Sequence, residues 1–272
     1  MTDLSKLDAA NKAVQASTMS KVGKAFDAEA TAAIHSLDAR ITALEPVVPP
    51  PPPPPPPVTT IAPPQAPITT VANAPGLGLN VTTVQLVHDL VVDGCGDTAV
   101  LFQLAAAGSS LKRARLSRVA ALNSVNYGKH GIYGKVRGLL IEDLVCVCSS
   151  FAASGVSFRY DGAVMRRFNI SGAPHALTYY EESTTKGTVL FEDGDCSFRG
   201  DTAVWMDTNS AGPIVQAFTF RRMNMTGAAG TAFMKVQAGV FSGASVRLEG
   251  CTLNGRPVTA ADLPNVPNVT II

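Results

Sequence analysis

The chain has 272 residues, 46% hydrophobic and only 16% charged, which is enough apolar material for a substantial core and excludes a disordered protein. Its 22 Lys and Arg against 21 Asp and Glu leave a formal net charge of +1, which excludes a bulk electrostatic pull toward nucleic acid or an anionic membrane. The opening stretch MTDLSKLDAANKAVQ has early acidic residues and no apolar segment, and no window approaches the roughly 18 apolar residues of a span, so neither a secretory signal nor membrane insertion is expected.

Residues 4–45 contain no proline and are rich in Ala, Lys, Asp and Glu, which predicts one long helix. Val22, Phe26, Ala30, Ala33, Leu37, Ile41 and Leu44 recur at about 3.67 residues per turn, the period of a nearly straight or slightly right-handed bundle. Ile34, Leu37, Ile41 and Leu44 also fit two heptads, so the phase stays open. This stripe is narrow, and the chain offers no second helix to cover it. Copies of the same helix in an oligomer, or a larger assembly, would cover it; docking on the chain's own C-terminal domain is the alternative. Residues 1–45 are therefore expected to form an oligomerising or anchoring helix.

Residues 46–79 form a proline-rich linker in which nine prolines run from Pro49 to Pro57. In polyproline II geometry that run makes a stiff rod of roughly 28 Å, which a Gly/Ser tether would not provide. A ligand for an SH3-like or profilin-like domain is a second reading. The absence of basic residues beside the prolines disfavours it.

From residue 80 to 255 the sequence repeats itself. VMRRFNISG, DGDCSFRG, FRRMNMTG and LEGCTLNG each place two apolar residues two apart before a Gly: Phe168 with Ile170, Cys196 with Phe198, Met223 with Met225, and Cys251 with Leu253. Leu144 with Cys146, Leu116, and Leu90 with Val92 extend the series, with steps of about 24 to 28 residues, a solenoid period. A second anchor follows in GDTAVLF, GIY, GVSFRY, GDTAVWM and GTAFMKV, which predicts two short strands per repeat separated by a Gly turn. These residues together resemble the right-handed parallel β-helix of the pectin-lyase-like superfamily, as used in phage tailspikes and fibres. The expected fold is mainly β: about seven short coils, roughly 34 Å tall, preceded by the helix and the linker and closed by a capping segment at 256–272. Cys196 and Cys251, placed on one inward ladder with Leu116, Leu144, Phe168 and Met223, are expected to be core. With Cys95, Cys146 and Cys148 they show no metal-ligand spacing, so no metal and no cofactor is expected.

The resemblance implies a homotrimeric virion fibre or spike subunit of a tailed bacteriophage, assembled in a host cytoplasm, held to other virion proteins by its helix, its head either attaching to a host-surface polysaccharide or decorating the particle. Candidate glycan-binding residues are Tyr179, Tyr180 and Trp205 as stacking platforms and the pairs Arg166 with Arg167 and Arg221 with Arg222 as a basic stripe. Those arginines could equally pair with carboxylates on adjacent coils, and Trp205 could equally line a subunit interface. Enzymes on this fold cluster carboxylates on one face, and Asp193, Asp195 and Asp201, with Glu181 and Glu182, are the candidates for that alternative, a polysaccharide lyase or hydrolase. Against it, EDGDC has turn composition, and GKHGIYG resembles the Gly-His-Gly element of polygalacturonases only superficially, without that family's other elements. His130 is therefore expected to be a loop residue.

Overall fold

A computed structural model describes residues 60–122, 128–182, 185–208, 214–237 and 243–272, together with Lys12. The chain divides into two units, Met1–Pro54 and Pro55–Ile272. The expected helix with its stripe from Val22 to Leu44, and the run Pro49–Pro57, lie outside the described residues.

Within the second unit the described residues form a right-handed parallel β-solenoid of about six turns. Its longer sheet passes through Thr69–Ala74, Leu90–Cys95, Ser110–Val119, Leu140–Cys148, Val164–Ser171, Thr188–Ser197, Ala217–Thr226, Ser245–Glu249 and Val269–Ile271. The shorter sheet passes through Leu79–Val81, Val100–Phe102, His130–Gly134, Ser154–Phe158, His175–Glu181, Thr202–Thr208 and Ala232–Val236. Each strand pairs in parallel with the equivalent strand one coil away. Seven strands of the shorter sheet are separated by six steps, so the stack advances about 29 Å at ~4.8 Å per coil. Counting apolar anchors in the sequence gives about seven coils because seven anchors span six intervals.

The register explains the repeat. On the longer sheet Val92, Leu116, Cys146, Ile170, Cys196, Met225 and Leu253 share one inward rung, and Leu90, Ala114, Leu144, Phe168, Gly194 and Met223 share the rung two residues earlier. Cys196 and Leu116 thus sit one rung along from where the sequence pattern places them, while Cys251 keeps its place beside Met223. Space is the reason: a Cβ on Gly194 would meet Phe168 Cζ at 2.4 Å and Met223 Cε at 2.6 Å. Two long side chains from the neighbouring coils already fill that rung, so the coil between them carries no side chain there. Phe158, Phe191, Phe220 and Phe233 join the two sheets through ring contacts of 5.0 to 5.7 Å between centroids. All five cysteines are buried free thiols; burial raises Cys95 and Cys196 and pushes Cys251 up to about 11, which keeps these three as thiols rather than reactive thiolates.

The ends are built differently. Thr69–Ala74 opens the longer sheet ahead of residue 80, with one edge pairing on Leu90–Cys95. At the other end the chain turns through a capped 3-10 turn at Ala260–Asp262, buries Val258 and Leu263, and lays Val269–Ile271 on Ser245–Glu249.

Candidate functional site

Each coil of the longer sheet bends at one residue in the left-handed region. Asp89, Arg113, Asp143, Arg167, Asp193 and Arg222 hold φ between 49° and 58°, a conformation that L residues other than Gly, Asn and Asp adopt at a cost. The residue before each bend points outward, giving His88, Lys112, Glu142, Arg166, Glu192, Arg221 and Glu249 in register. From coil to coil the two-residue corner therefore reads HD, KR, ED, RR, ED, RR, EG. Acidic and basic corners alternate, so each interior charge, Arg113 to Asp193 in one column and Glu142 to Arg221 in the other, faces the opposite sign on both neighbouring coils.

The pairing is bidentate and repeated. Arg113 donates Nε and Nη2 to Asp89 at 2.6 and 2.8 Å, Arg167 to Asp143 at 2.9 and 3.1 Å, and Arg222 to Asp193 at 2.6 and 3.0 Å. Lys112 with Glu142, Arg166 with Glu192, and Arg221 with Glu192 and Glu249 fill the outer column at 2.5 to 3.3 Å. Hydrogen bonds from Arg113 and from the Gln65 backbone hold the Asp89 carboxyl far below the usual range. Burial pushes the Asp143 carboxyl up, but hydrogen bonds from Arg167 and the Ala62 backbone outweigh it and leave the group lowered. The four arginines expected to form a basic stripe, Arg166, Arg167, Arg221 and Arg222, are all members of this ladder.

The opposite surface has another character. The shorter sheet points two columns outward: Leu101, Tyr133, Ser157, Thr178, Trp205 and Lys235 in one, and Lys135, Arg159, Tyr180 and Asp207 in the next. The small Ser157 and Thr178 are buried beneath their larger neighbours. Arg159 lies between two rings, 5.1 Å from the Tyr133 centroid and 4.7 Å from that of Tyr180, and its Nη1 reaches Glu182 Oε1 at 3.0 Å. Lys135 lies over Tyr133 and Arg137 over Tyr160. Trp205 stacks on His175 at 6.0 Å, and the His175 Nδ1 is 3.0 Å from the Thr202 carbonyl oxygen. Tyr133, Tyr180 and Trp205 are thus half-buried rings on one face, with Arg159 against two of them and His175 against the third.

The remaining expected residues scatter. Tyr179 is a correction: it is 1% exposed, points into the core edge-on to Phe218, and donates its hydroxyl to the buried Glu181 Oε1 at 3.1 Å. Adjacent strand residues face opposite sides, so Tyr180 outward requires Tyr179 inward. Asp193 and Asp195 belong to the longer sheet, where Asp193 holds Arg222 and Asp195 accepts from Asn224 Nδ2 at 3.1 Å. Asp201 stands just before the strand Thr202–Thr208 of the shorter sheet and pairs with Lys235 at 2.6 Å, apart from the longer sheet that carries Asp193 and Asp195. His130 is not a loop residue either. It opens the strand His130–Gly134, is buried, and its Nδ1 lies 2.7 Å from Ser154 Oγ. Among the described residues no group of three or more His, Cys, Asp or Glu side chains is placed to hold a metal ion, and no helix is long and apolar enough to cross a membrane.

No protein-family model, curated protein or solved structure matches the chain.

Proposed function

We propose that the chain is a structural fibre or spike subunit of a tailed-phage virion, and that its solenoid head attaches to a host-surface polysaccharide through the outward face of the shorter sheet. The observation that carries the attachment reading is the clustering of Tyr133, Tyr180 and Trp205 on that one face, braced by Arg159 and His175. Tyr133 and Trp205 share a column three coils apart, about 14 Å, a separation that suits a short run of sugar rings. The ladder arginines already carry carboxylate partners, which favours the aromatic face over a basic stripe as the contact. Engagement of Asp193 with Arg222, Asp195 with Asn224 and Asp201 with Lys235 favours attachment over cleavage. The virion reading rests on the apolar periodicity of the sequence from Val22 to Leu44, the proline run and the solenoid together; a trimer joined through an N-terminal helix, other virion proteins as its anchor, and assembly in the host cytoplasm belong to the same proposal.

The test is binding of the full chain to a panel of bacterial surface polysaccharides. Trp205→Ala and Tyr180→Ala are each expected to weaken the interaction roughly tenfold or more while the chain keeps its folded β-sheet spectrum at the temperature of the assay. A native chain that binds no polysaccharide in the panel, or binding that survives both substitutions, overturns the reading.

A further inference from the structure

The two sheets treat charge differently. At the corner of the longer sheet the signs alternate, and Arg113, Arg167 and Arg222 each hold an aspartate. On the outward face of the shorter sheet two cations follow one another. Gly134 pairs with Phe158, and one step further along the same register Lys135 lies beside Arg159, so two positive side chains leave the backbone on successive coils, ~4.8 Å apart. Like charges directly opposite each other across a strand pair destabilise it.

Only one of the two is met by a carboxylate. Arg159 reaches Glu182 at 3.0 Å, whereas the half-buried Lys135 has its ammonium 5.0 Å from the Tyr133 centroid and, among the described residues, no carboxylate within ion-pair distance. The internal stretches 123–127, 183–184, 209–213 and 238–242 contain neither Asp nor Glu. Two polar atoms next to these cations are unmet as well: Arg159 Nε and Ser157 Oγ are buried, and among the described residues neither has a hydrogen-bond partner. Ser157 stands one coil on from Tyr133 and two residues before Arg159. Arg159 Nε can only donate and the Ser157 hydroxyl is able to, so what this end of the face lacks is an acceptor. A buried donor left unpaired forfeits its hydration without return.

The other end of the face is balanced. Lys235 pairs with Asp201 at 2.6 Å, Trp205 lies against His175, and the column that starts with Lys135 and Arg159 continues through Tyr180 to the acid Asp207. Positive charge is thus in excess at Tyr133 and not at Trp205, three coils away.

We propose that Lys135, Arg159 and Tyr133 form an anion subsite of this face, and that the polysaccharide it takes carries a negatively charged sugar seated against Lys135, with an uncharged stretch reaching Trp205. This assignment rests on the attachment reading of the face and adds the class of polymer to it. A lysine ammonium is a point charge and reads no planar shape, so a uronate carboxylate and a sulfate ester satisfy the same site.

The test measures binding of the full chain to matched pairs: every uronate-bearing polysaccharide of the bacterial panel beside its carboxyl-reduced form, and dextran sulfate beside dextran. In at least one pair the charged member is expected to bind about tenfold more tightly or better, and the pair that discriminates identifies the anion. Lys135→Gln is expected to remove most of that advantage and to leave binding of the uncharged members unchanged, which a general loss of structure would not do. Lys135→Arg keeps the charge and is expected to keep the advantage. Equal binding within every pair, or an advantage that Lys135→Gln leaves intact, overturns the anion subsite and leaves the attachment reading standing. Binding to none of the polymers, charged or uncharged, overturns the attachment reading and the subsite with it.

Discussion

A histidine almost out of contact with water gives this fold a pH dependence. His130 is 5% exposed, hydrogen-bonds Ser154, and packs its ring 4.9 Å from that of Tyr133; burial, with the Arg159 charge adding to it, depresses its pKa from 6.5 to about 3. Below pH 6.5 the unfolded chain binds a proton there that the native chain refuses, so this residue's contribution to stability falls with pH from about 6.5 and levels off only near the folded value of about 3. In His130→Gln the loss of stability between about pH 6.5 and about pH 4.5 is expected to be shallower than in the native chain, as measured by denaturant midpoints. A His130 imidazole that titrates near its ordinary value of 6.5 by NMR contradicts it. At this scale the sequence shows residue types better than their direction. Tyr179 and Tyr180 are visibly a pair, but which faces inward depends on strand parity, set by the neighbouring Val156 and Phe158 one coil below. Gly194 hides a rung, because a missing side chain leaves no apolar signal; the pattern then locks on to Cys196 two residues too late.

The strand corner is the element in which local strain and long-range pairing meet. An Arg at φ near 50° is disfavoured by about 1–2 kcal/mol, and here the bend aims it along the stack at the opposite charge on the next coil. In a ladder each residue has two neighbours, so it does not behave as an isolated pair. Arg167→Asp puts an acid between Asp143 and Asp193 and is expected to cost of order 1–2 kcal/mol. Adding Asp143→Arg would rescue an isolated pair. In this ladder the introduced arginine instead faces Arg113, and the introduced aspartate still faces Asp193, so thermal unfolding of the double variant is expected to show no recovery. Full recovery in the swap means that the corner is a set of separate pairs. The dipeptides KR, ED, RR, ED and RR are all present in the sequence, and the paired arginines stand out there. Their alternation has a period of two coils across uneven intervals of 24 to 30 residues, so it becomes visible only when the coils are in register. The two-apart apolar pairs, by contrast, are strictly local, which is why the solenoid itself is readable.

At the scale of the whole molecule the question is which part of the chain needs a partner. The solenoid satisfies its ladder charges: the described ladder arginines are paired within the stack, the cysteines are buried, and the last full strand is covered by Val269–Ile271. Among the described residues its exposed large apolar side chains include Ile68, Leu77, Val84 and Leu86 near the first coils, whereas the regularly spaced apolar series of the sequence runs from Val22 to Leu44. Self-association is therefore expected to depend on residues 1–45 and not on the solenoid. In sedimentation equilibrium the full chain is expected at about three times its 28.3 kDa mass under the trimer proposal, and a chain lacking residues 1–45 as a monomer at tens of micromolar. The two measurements separate the possibilities. A full chain that stays monomeric at high micromolar concentration removes the oligomerising role from the helix. A shortened chain that keeps the full oligomer moves the interface to the solenoid, where the aromatic face around Trp205 would then be a subunit contact and not a surface for sugars.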